Sequence, residues 1–370
     1  MSHYVEKISL KSPSPGTTRF LTVHRFISEH GGPKVYLQAA LHADEWPGLI
    51  TLQHLLAQLI DLDAKGLLKG EIILVPYANP IGMDQSINGT LLGRHSFSGE
   101  GNFNRNWPDL SAVALKALET ENPSVDNVKM ALLQAVKSLV SVTPLQQLKK
   151  TLLSLSIDAD IVLDLHCDSQ ALLHLYSNYR HVEQAKILAE HLQIPVLLLE
   201  DEPGGSPFDA AHTLPWIAVE KQLFHSCFSA TIELRGEADV NDTFAAQDAQ
   251  GILSFLGTQG VVLDGDYVVE PFVVTTTDLT AVDAVVAPIS GIICWKVQLG
   301  DVVEKGQLIA EVVDLTAAAP TQGRTDVYSR TTGVLFAQRG AKLVTEGDNV
   351  AKIAGSEVLE NVGGGGLLAL

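Results

Sequence analysis

The sequence predicts an α/β fold, a mixed sheet flanked by helices, followed by a smaller all-β domain. Three observations carry this. Between about Val35 and Gly260, short Val/Ile/Leu runs alternate with stretches whose apolar residues recur at three- and four-residue spacing. The strand-like runs are apolar throughout, as in a sheet covered on both faces. After about Asp264 helical periodicity disappears, and Val/Ile/Thr-rich runs separated by Gly, Asp and Pro take over. With 370 residues and 46% apolar content the chain can bury two cores, and 18% charged residues argue against disorder. The expected division is an α/β domain over 1–263, a β-rich domain over 264–357 and a mobile tail over 358–370.

The elements follow in order. VYLQAALH (Val35–His42) reads as a buried strand, ADEWPG as a loop and LITLQHLLAQLIDL as a helix. EIILVPYANP is the next strand, stopped by Asn79-Pro80. Between Ser111 and Ser156, repeated Leu, Ala and Val predict two or three helices, broken near Pro123 and Pro144. DADIVLDLHC, IPVLLLED and SATIELRGE are further strands. In the β-rich region APISGIICWKVQLGDVVEKGQLIAEV is echoed by SRTTGVLFAQRGAKLVTEGDNVAKIAG. Each half reads turn–Gly–strand–turn–Val–x–x–Gly–strand, the text of two interlocking hairpin units. The terminal GGGGLLAL is costly to order, hence the mobile tail.

Charge and cysteine usage narrow the function classes. Against 43 acidic side chains stand 25 basic ones, a formal charge of −18. Nucleic acid is excluded as a partner, because neutralising phosphates needs clustered Lys and Arg. A small anion would also be repelled unless positive groups collect locally. Cys167, Cys227 and Cys294 are odd in number and far apart, so neither a disulfide framework nor a cysteine zinc knuckle is indicated. No signal-peptide core and no membrane-spanning apolar stretch is read, so the expectation is a soluble cytoplasmic protein with no membrane partner. A homo-oligomer is left open.

The chemistry concentrates in a few segments. In LHADEWPG, His42 and Glu45 stand in a loop between a strand and a helix, where open α/β sheets form their crevice. An imidazole and a carboxylate three residues apart can grip one face of a divalent ion, although solvated loop residues give the same text. A third ligand must come from another strand end, and His166 in DIVLDLHCD is the candidate, with Asp164 and Asp168 near enough to orient its second nitrogen. A hydrogen-bonded core histidine is the plain alternative. His174 competes from inside another apolar run, and Cys167 reads as a small buried thiol. Glu233 is a lone acid in the apolar run SATIELRGE, which calls for a partner or a task. Strand alternation would place Arg235 on the same face as Glu233, as a salt bridge or in a shared cleft. Glu237 reads as an ordinary loop acid. The polar loop LLGRHSFSGEGNFNRNWPD offers Arg94, Asn104 and Arg105, groups that bind carboxylates or steady an oxyanion. With a divalent ion, Arg94, Arg105 and Arg235 would form a cationic cleft in an acidic protein.

In this order, HxxE after a strand, Arg…Asn-Arg, a DLH strand end and a T-x-E strand, the sequence resembles the zinc carboxypeptidase superfamily. It is more similar to the succinylglutamate desuccinylase/aspartoacylase branch, from roughly residue 20 to 260. ANPIGMDQSINGTLLGR followed by NFNRNWPD matches that branch's NP-x-G…R…NR-x-(F/W)-P pattern. The resemblance implies a zinc-carboxypeptidase-like catalytic domain with one Zn2+ per chain held by His42, Glu45 and His166. It implies Glu233 as general base and acid, Arg94 on the scissile carbonyl, and Asn104 with Arg105 on a substrate carboxylate. The metal loop departs from the family's HGxE in reading HADE, which adds the charge of Asp44, and Trp46 beside it would narrow the cleft. Pocket walls between Asp109 and Asp158 do not transfer. The β-rich halves resemble the biotinyl/lipoyl-like barrel-sandwich fold. Glu311 to Arg330 contains no lysine, which disfavours a covalent carrier and leaves shaping of the cleft entrance or oligomerisation as its role. The implied activity is zinc-dependent hydrolysis of the amide of an N-acyl amino acid or similar small carboxylate-bearing amide. A zinc carboxypeptidase acting on peptides and a non-catalytic ligand-binding homologue are the rivals.

Overall fold

The structure, a computed structural model, describes residues 3–201, 204–223, 227–263, 265, 267, 271–319 and 322–359. The predicted tail lies outside the described residues from 360 onward. Nine strands form the large sheet: β1 (His3–Leu10), β2 (Arg19–Ile27), β3 (Lys34–Ala39), β4 (Glu71–Val75), β5 (Ile161–Asp168), β6 (His174–Asn178), β7 (Val196–Glu200), β8 (Phe228–Gly236) and β9 (Thr275–Asp278). Their order is β1-β2-β4-β3-β5-β8-β6-β7-β9. The centre, β4-β3-β5-β8, is parallel, β6 runs against β8, and β1 and β2 form an antiparallel hairpin at the edge. The mixed sheet was expected. The β1–β2 hairpin was not, because HYVEKISL alternates half-buried and exposed residues and carries little of the apolar signal.

Helices cover both faces. α1 (Pro47–Ala64), α5 (Val182–Leu192) and α7 (Asp242–Thr258) pack on one, against Val35, Leu37, Ile161, Leu163, Leu165 and Ile232. On the other, α2 (Ser111–Ala117), α3 (Val125–Ser138), α4 (Pro144–Ser156) and α6 (Phe208–Val219) enclose Tyr36, Ile73 and Val162. The prolines do what their fixed φ suits them for. Pro144 opens α4 behind a Thr143/Gln146 capping box, and Pro47 opens α1. Alternation along β5 sends Ile161, Leu163 and Leu165 to the first face. Val162, Asp164, His166 and Asp168 therefore share the second. No helix among the described residues is long and apolar enough to cross a membrane.

The β-rich region bears out the repeat. Its strands are β10 (Val282–Val286), β11 (Gly291–Trp295), β12 (Val302–Val303), β13 (Leu308–Val313), β14 (Arg324–Tyr328), β15 (Gly333–Gln338), β16 (Leu343–Val344) and β17 (Asn349–Gly355). β12 of the first half pairs with β15 of the second, and β16 of the second pairs with β11 of the first. The halves thus interlock around a core that includes Ile293, Ile309, Val312, Leu335 and Ile353. They lie in two separate sheets, β14-β13-β11-β16 and one containing β15-β17-β10, and no closed barrel forms among the described residues.

The second of these sheets is fastened to the α/β part. The short strand Gln170–Ala171 pairs with β15, and the Ser169 hydroxyl accepts a hydrogen bond from the Gly340 amide at 3.1 Å. Tyr176, Leu198, Phe336 and Ala354 form an apolar seam. Within it Lys352 Nζ lies 2.8 Å from Asp168 Oδ2, and both side chains are almost wholly buried. Removing one partner of such a pair strands a charge away from water. Lys352→Met is expected to destabilise the protein by about 3–5 kcal/mol, measured by urea denaturation. The double change Lys352→Met/Asp168→Asn should recover a large part of that loss. A single variant as stable as the parent would show that the pair contributes nothing.

Candidate metal and substrate site

β3 ends at Ala39, and Ala40 takes φ +55°, a left-handed conformation that costs an alanine about 1–2 kcal/mol. This turn swings the following loop across the strand ends and brings His42 and Glu45 over β5. The loop is held in place by Asn79 Nδ2 donating to the Leu41 carbonyl at 2.8 Å and by Ala43 N donating to the Gly93 carbonyl at 3.1 Å. His42 Nδ1 lies 2.8 Å from Glu45 Oε1, and His166 Nδ1 lies 2.6 Å from Glu45 Oε2. One ligand atom from each of the three residues falls within 4.8 Å of the others, and all three residues are buried. The outer nitrogens are also taken, His42 Nε2 by Asn102 Oδ1 at 2.8 Å and His166 Nε2 by Asp164 Oδ2 at 2.9 Å. Asp164 accepts from Gln38 Nε2, and Gln38 accepts from the Tyr36 hydroxyl, so a buried polar chain backs His166.

The donor set fits a divalent ion. Two imidazoles and one carboxylate, with both outer ring nitrogens already fixed, point inward at one another with nothing between them. Burial pushes the Glu45 carboxyl up, yet His42 and His166 hold it well below its ordinary range. Burial lowers His166, but Asp164 and Glu45 together hold it well above the usual imidazole value. The two competitors fall away. Cys167 is buried with its thiol pushed far up by desolvation, and His174 Nδ1 lies 2.9 Å from the Leu172 carbonyl with Nε2 3.5 Å from Asp168.

Glu233 stands beside the cluster, on β8 in register with His166 of β5. Its Oε2 is buried with no hydrogen-bond partner among the described residues. Burial and the charge of Asp168 push its carboxyl up to about 7. Arg235 does not share this cleft, contrary to simple alternation. Between Glu233 and Gly236 the register slips, so β8 spends three steps where β5 spends two. Arg235 itself takes φ +62°. The bulge turns its guanidinium to the opposite side, where it grips Asp248 of α7 at 2.8 and 3.0 Å and lies over the Phe244 ring. Glu237 is exposed, as expected of a loop acid, although burial of its carboxyl and Asp44 lift it to about 7.

The polar loop delivers its three residues. Arg94 Nη1 donates to Glu45 Oε1 at 3.1 Å. Asn104 is buried, and its Oδ1 accepts the Phe208 amide at 2.8 Å, which leaves the NH2 end for the cleft it lines. Arg105 is placed by pairing of the loop with residues 205–206, where Asn106 N donates to the Gly205 carbonyl and Trp107 N to that of Ser206. Gly205 has to be glycine. Its φ is +76°, and a Cβ there would stand 2.7 Å from Arg105 Cδ. No carboxylate among the described residues reaches ion-pair distance of the Arg105 guanidinium, which donates to the Asn104 carbonyl at 2.6 Å. Asp44, the departure in the metal loop, accepts from Gly93 N at 3.0 Å, so its charge serves the loop. Trp46 is 44% exposed and does not line the cleft, so it does not narrow it.

Sequence reading missed a further wall. Lys352, Tyr176, Thr231, Glu200 and Asp209 also line the cleft, and Asp168, expected beside His166, lines it paired with Lys352. Tyr176 and Thr231 are cross-strand partners on the site's face of the sheet, Glu200 ends β7, and Asp209 lies in the first turn of α6. The expected cationic cleft is corrected in its members: Arg235 lies elsewhere, and carboxylates line the cleft beside the cations. Five carboxylates line it against three basic side chains, Arg94, Arg105 and Lys352. A lysine inside the apolar run NVAKIAG is the same signal that singled out Glu233, and it would have marked Lys352.

Comparisons with known proteins agree with this geometry. The family model for the succinylglutamate desuccinylase/aspartoacylase catalytic domain matches residues 31–258. The N-alpha-acetyl-L-2,4-diaminobutyric acid deacetylase of Halomonas elongata is 28% identical over 343 residues, covering 90% of this chain and 84% of that protein. A solved structure from Shewanella amazonensis, assigned to the same family, superposes with a TM-score of 0.84 at 24% identity, covering 95% of this chain and 98% of the other. A second, from Shewanella frigidimarina, gives 0.86 at 21% identity over 96% and 97%.

The buried chain behind His166 makes a measurable claim. Asp164→Asn keeps the shape but removes the charge that orients the imidazole, and metal affinity is expected to fall by about 10–100-fold. Competition of zinc against a chromogenic chelator measures it, and an unchanged affinity would remove Asp164 from the site.

Proposed function

We propose, from the premise that the chain belongs to the succinylglutamate desuccinylase/aspartoacylase family, that it hydrolyses the amide bond of an N-acyl amino acid or similar small carboxylate-bearing amide. The observation that carries this reading is Glu233, whose Oε2 is buried with no hydrogen-bond partner among the described residues, beside three converging metal donors. His42, Glu45 and His166 would hold one zinc ion. Bound there, the ion supplies a Lewis acid at the scissile carbonyl and makes water acidic near neutral pH.

The rest of the chemistry belongs to side chains. Glu233, lifted to about 7, can take a proton from the attacking water and give it to the departing amine, since a group poised near the working pH does both. With no hydrogen bond to break among the described residues, its Oε2 can serve both transfers. Arg94, which donates to Glu45 at the edge of the cluster, would face the carbonyl oxygen as negative charge develops. Arg105, with no carboxylate at ion-pair distance among the described residues, and the NH2 group of Asn104 would take the substrate carboxylate. Asn102 and Asp164 keep the imidazoles in one orientation through the cycle.

Glu233→Gln should retain metal and lower kcat by about 10²–10⁴-fold on an N-acyl amino acid. Arg105→Ala should act mainly on KM, because it removes ground-state contacts with the carboxylate. Hydrolysis at full rate by chelator-stripped protein would sink the reading. Release of C-terminal residues from peptides, without action on N-acyl amino acids, would decide for a carboxypeptidase.

A further inference from the structure

Arg94 reaches the metal cluster from a hairpin outside the large sheet, built on the two-residue strands His95–Ser96 and Gly101–Asn102. So short a ladder cannot by itself fix where a long side chain ends. The hairpin is clipped to the metal loop at Gly93, the residue before Arg94. Gly93 gives its carbonyl to the Ala43 amide at 3.1 Å, and its own amide donates to Asp44 Oδ2 at 3.0 Å. The two backbones touch there, since a Cβ on Gly93 would stand 2.4 Å from Asp44 N. Asp44 Oδ1 is buried with no hydrogen-bond partner among the described residues. The carboxylate thus bears a desolvation cost while making one charge-assisted bond to the hairpin. Further along, the Arg94 carbonyl accepts the Phe103 amide at 3.1 Å, and Asn102 Oδ1 meets His42 Nε2 at 2.8 Å. The hairpin therefore touches the metal loop at both ends, with Asp44 as the side-chain contact at the Arg94 end.

We propose that Asp44 is a positioning residue for the hydrolysis, holding Arg94 at the scissile carbonyl through Gly93. This rests on the deacylase reading and adds a residue to its machinery. The clip acts by geometry more than by charge. Burial opposes the charge of Arg94, yet Glu45, Asp168, Glu233 and Asp44 together hold its guanidinium above the usual value, with Asp44 the weakest of the four. Removing that one charge leaves the guanidinium ionised. Releasing Gly93 is a different matter, because a shift of about 1 Å in a group that meets the reacting atoms can cost about 100-fold in rate.

The test uses the zinc-loaded full chain and an N-acyl amino acid that the parent hydrolyses. Asp44→Ala should lower kcat by about 10–100-fold with KM within about threefold of the parent. Asp44→Asn keeps an acceptor for the Gly93 amide and should recover most of that loss, whereas Gly93→Ala, which crowds the clip with Asp44 intact, should repeat it. Placed on Arg94→Met, Asp44→Ala should cost less than about threefold further, because nothing remains for it to position. Parental kcat in Asp44→Ala or Gly93→Ala, losses that add to those of Arg94→Met, or Asp44→Asn as slow as Asp44→Ala would each overturn the proposal. Amide hydrogen exchange supplies a reading that needs no turnover. At Gly93 and Phe103 it should quicken about tenfold in Asp44→Ala and stay near the parental rate in Asp44→Asn. If the parent hydrolyses no amide, the deacylase reading fails and exchange decides the clip separately, with unchanged rates in Asp44→Ala overturning it.

Discussion

The carboxylate of Glu45, shared between two imidazoles, is the interaction on which the site's architecture hangs. It is a buried charge, which is tolerable only when paired and hydrogen-bonded. Each of its partners arrives from a different place in the chain: His42 from its own loop, His166 from β5, Arg94 from the polar loop. The left-handed turn at Ala40 makes sense in this light. Strain of about 1–2 kcal/mol persists because four independent contacts fix the loop beyond it.

What was legible in the sequence follows from range. The strands of the central sheet announce themselves because each is apolar on both faces, and the metal pair because His42 and Glu45 are neighbours. His166 and Glu233 stood out as lone polar groups in apolar runs, and the fold sets them side by side in register. Arg235 misled, since a bulge and a positive φ leave no mark in side-chain alternation. Asp164, next but one to His166 on the same strand, was legible as its orienting acid, whereas Asn102 and Glu200 were illegible for another reason. Their roles come from contacts between segments far apart in the chain, and nothing local distinguishes them from solvated acids and amides.

The β-rich region contributes more than a lid. Its interlocked halves could be read from the repeat, but its reach into the cleft could not. Lys352 crosses the seam to neutralise Asp168, two residues beyond His166 on the same strand face. Without that ammonium, Asp168 would be left with His174, 3.5 Å away, and would bear more heavily on the carboxyl of Glu233. The α/β part therefore leaves its own site incomplete, and the second part completes it electrostatically. This gives the two parts a reason to remain joined that a cleft-shaping role alone would not.

The formal charge of −18 invites a search for one cationic exception on the surface, and the cleft is not that exception. Its five carboxyls outnumber its three basic groups by two, a local deficit of positive charge when all are ionised. The deficit shows in the chemistry, since Glu200 and Glu233 are lifted to about 8 and about 7 by burial and neighbouring acids. Burial and Arg94 lower the Arg105 guanidinium while Asp209 and Glu200 raise it, so acids and bases of the lining lie close enough to feel one another. Such a cleft discriminates less by a ligand's net charge than by where on the ligand its charged groups sit.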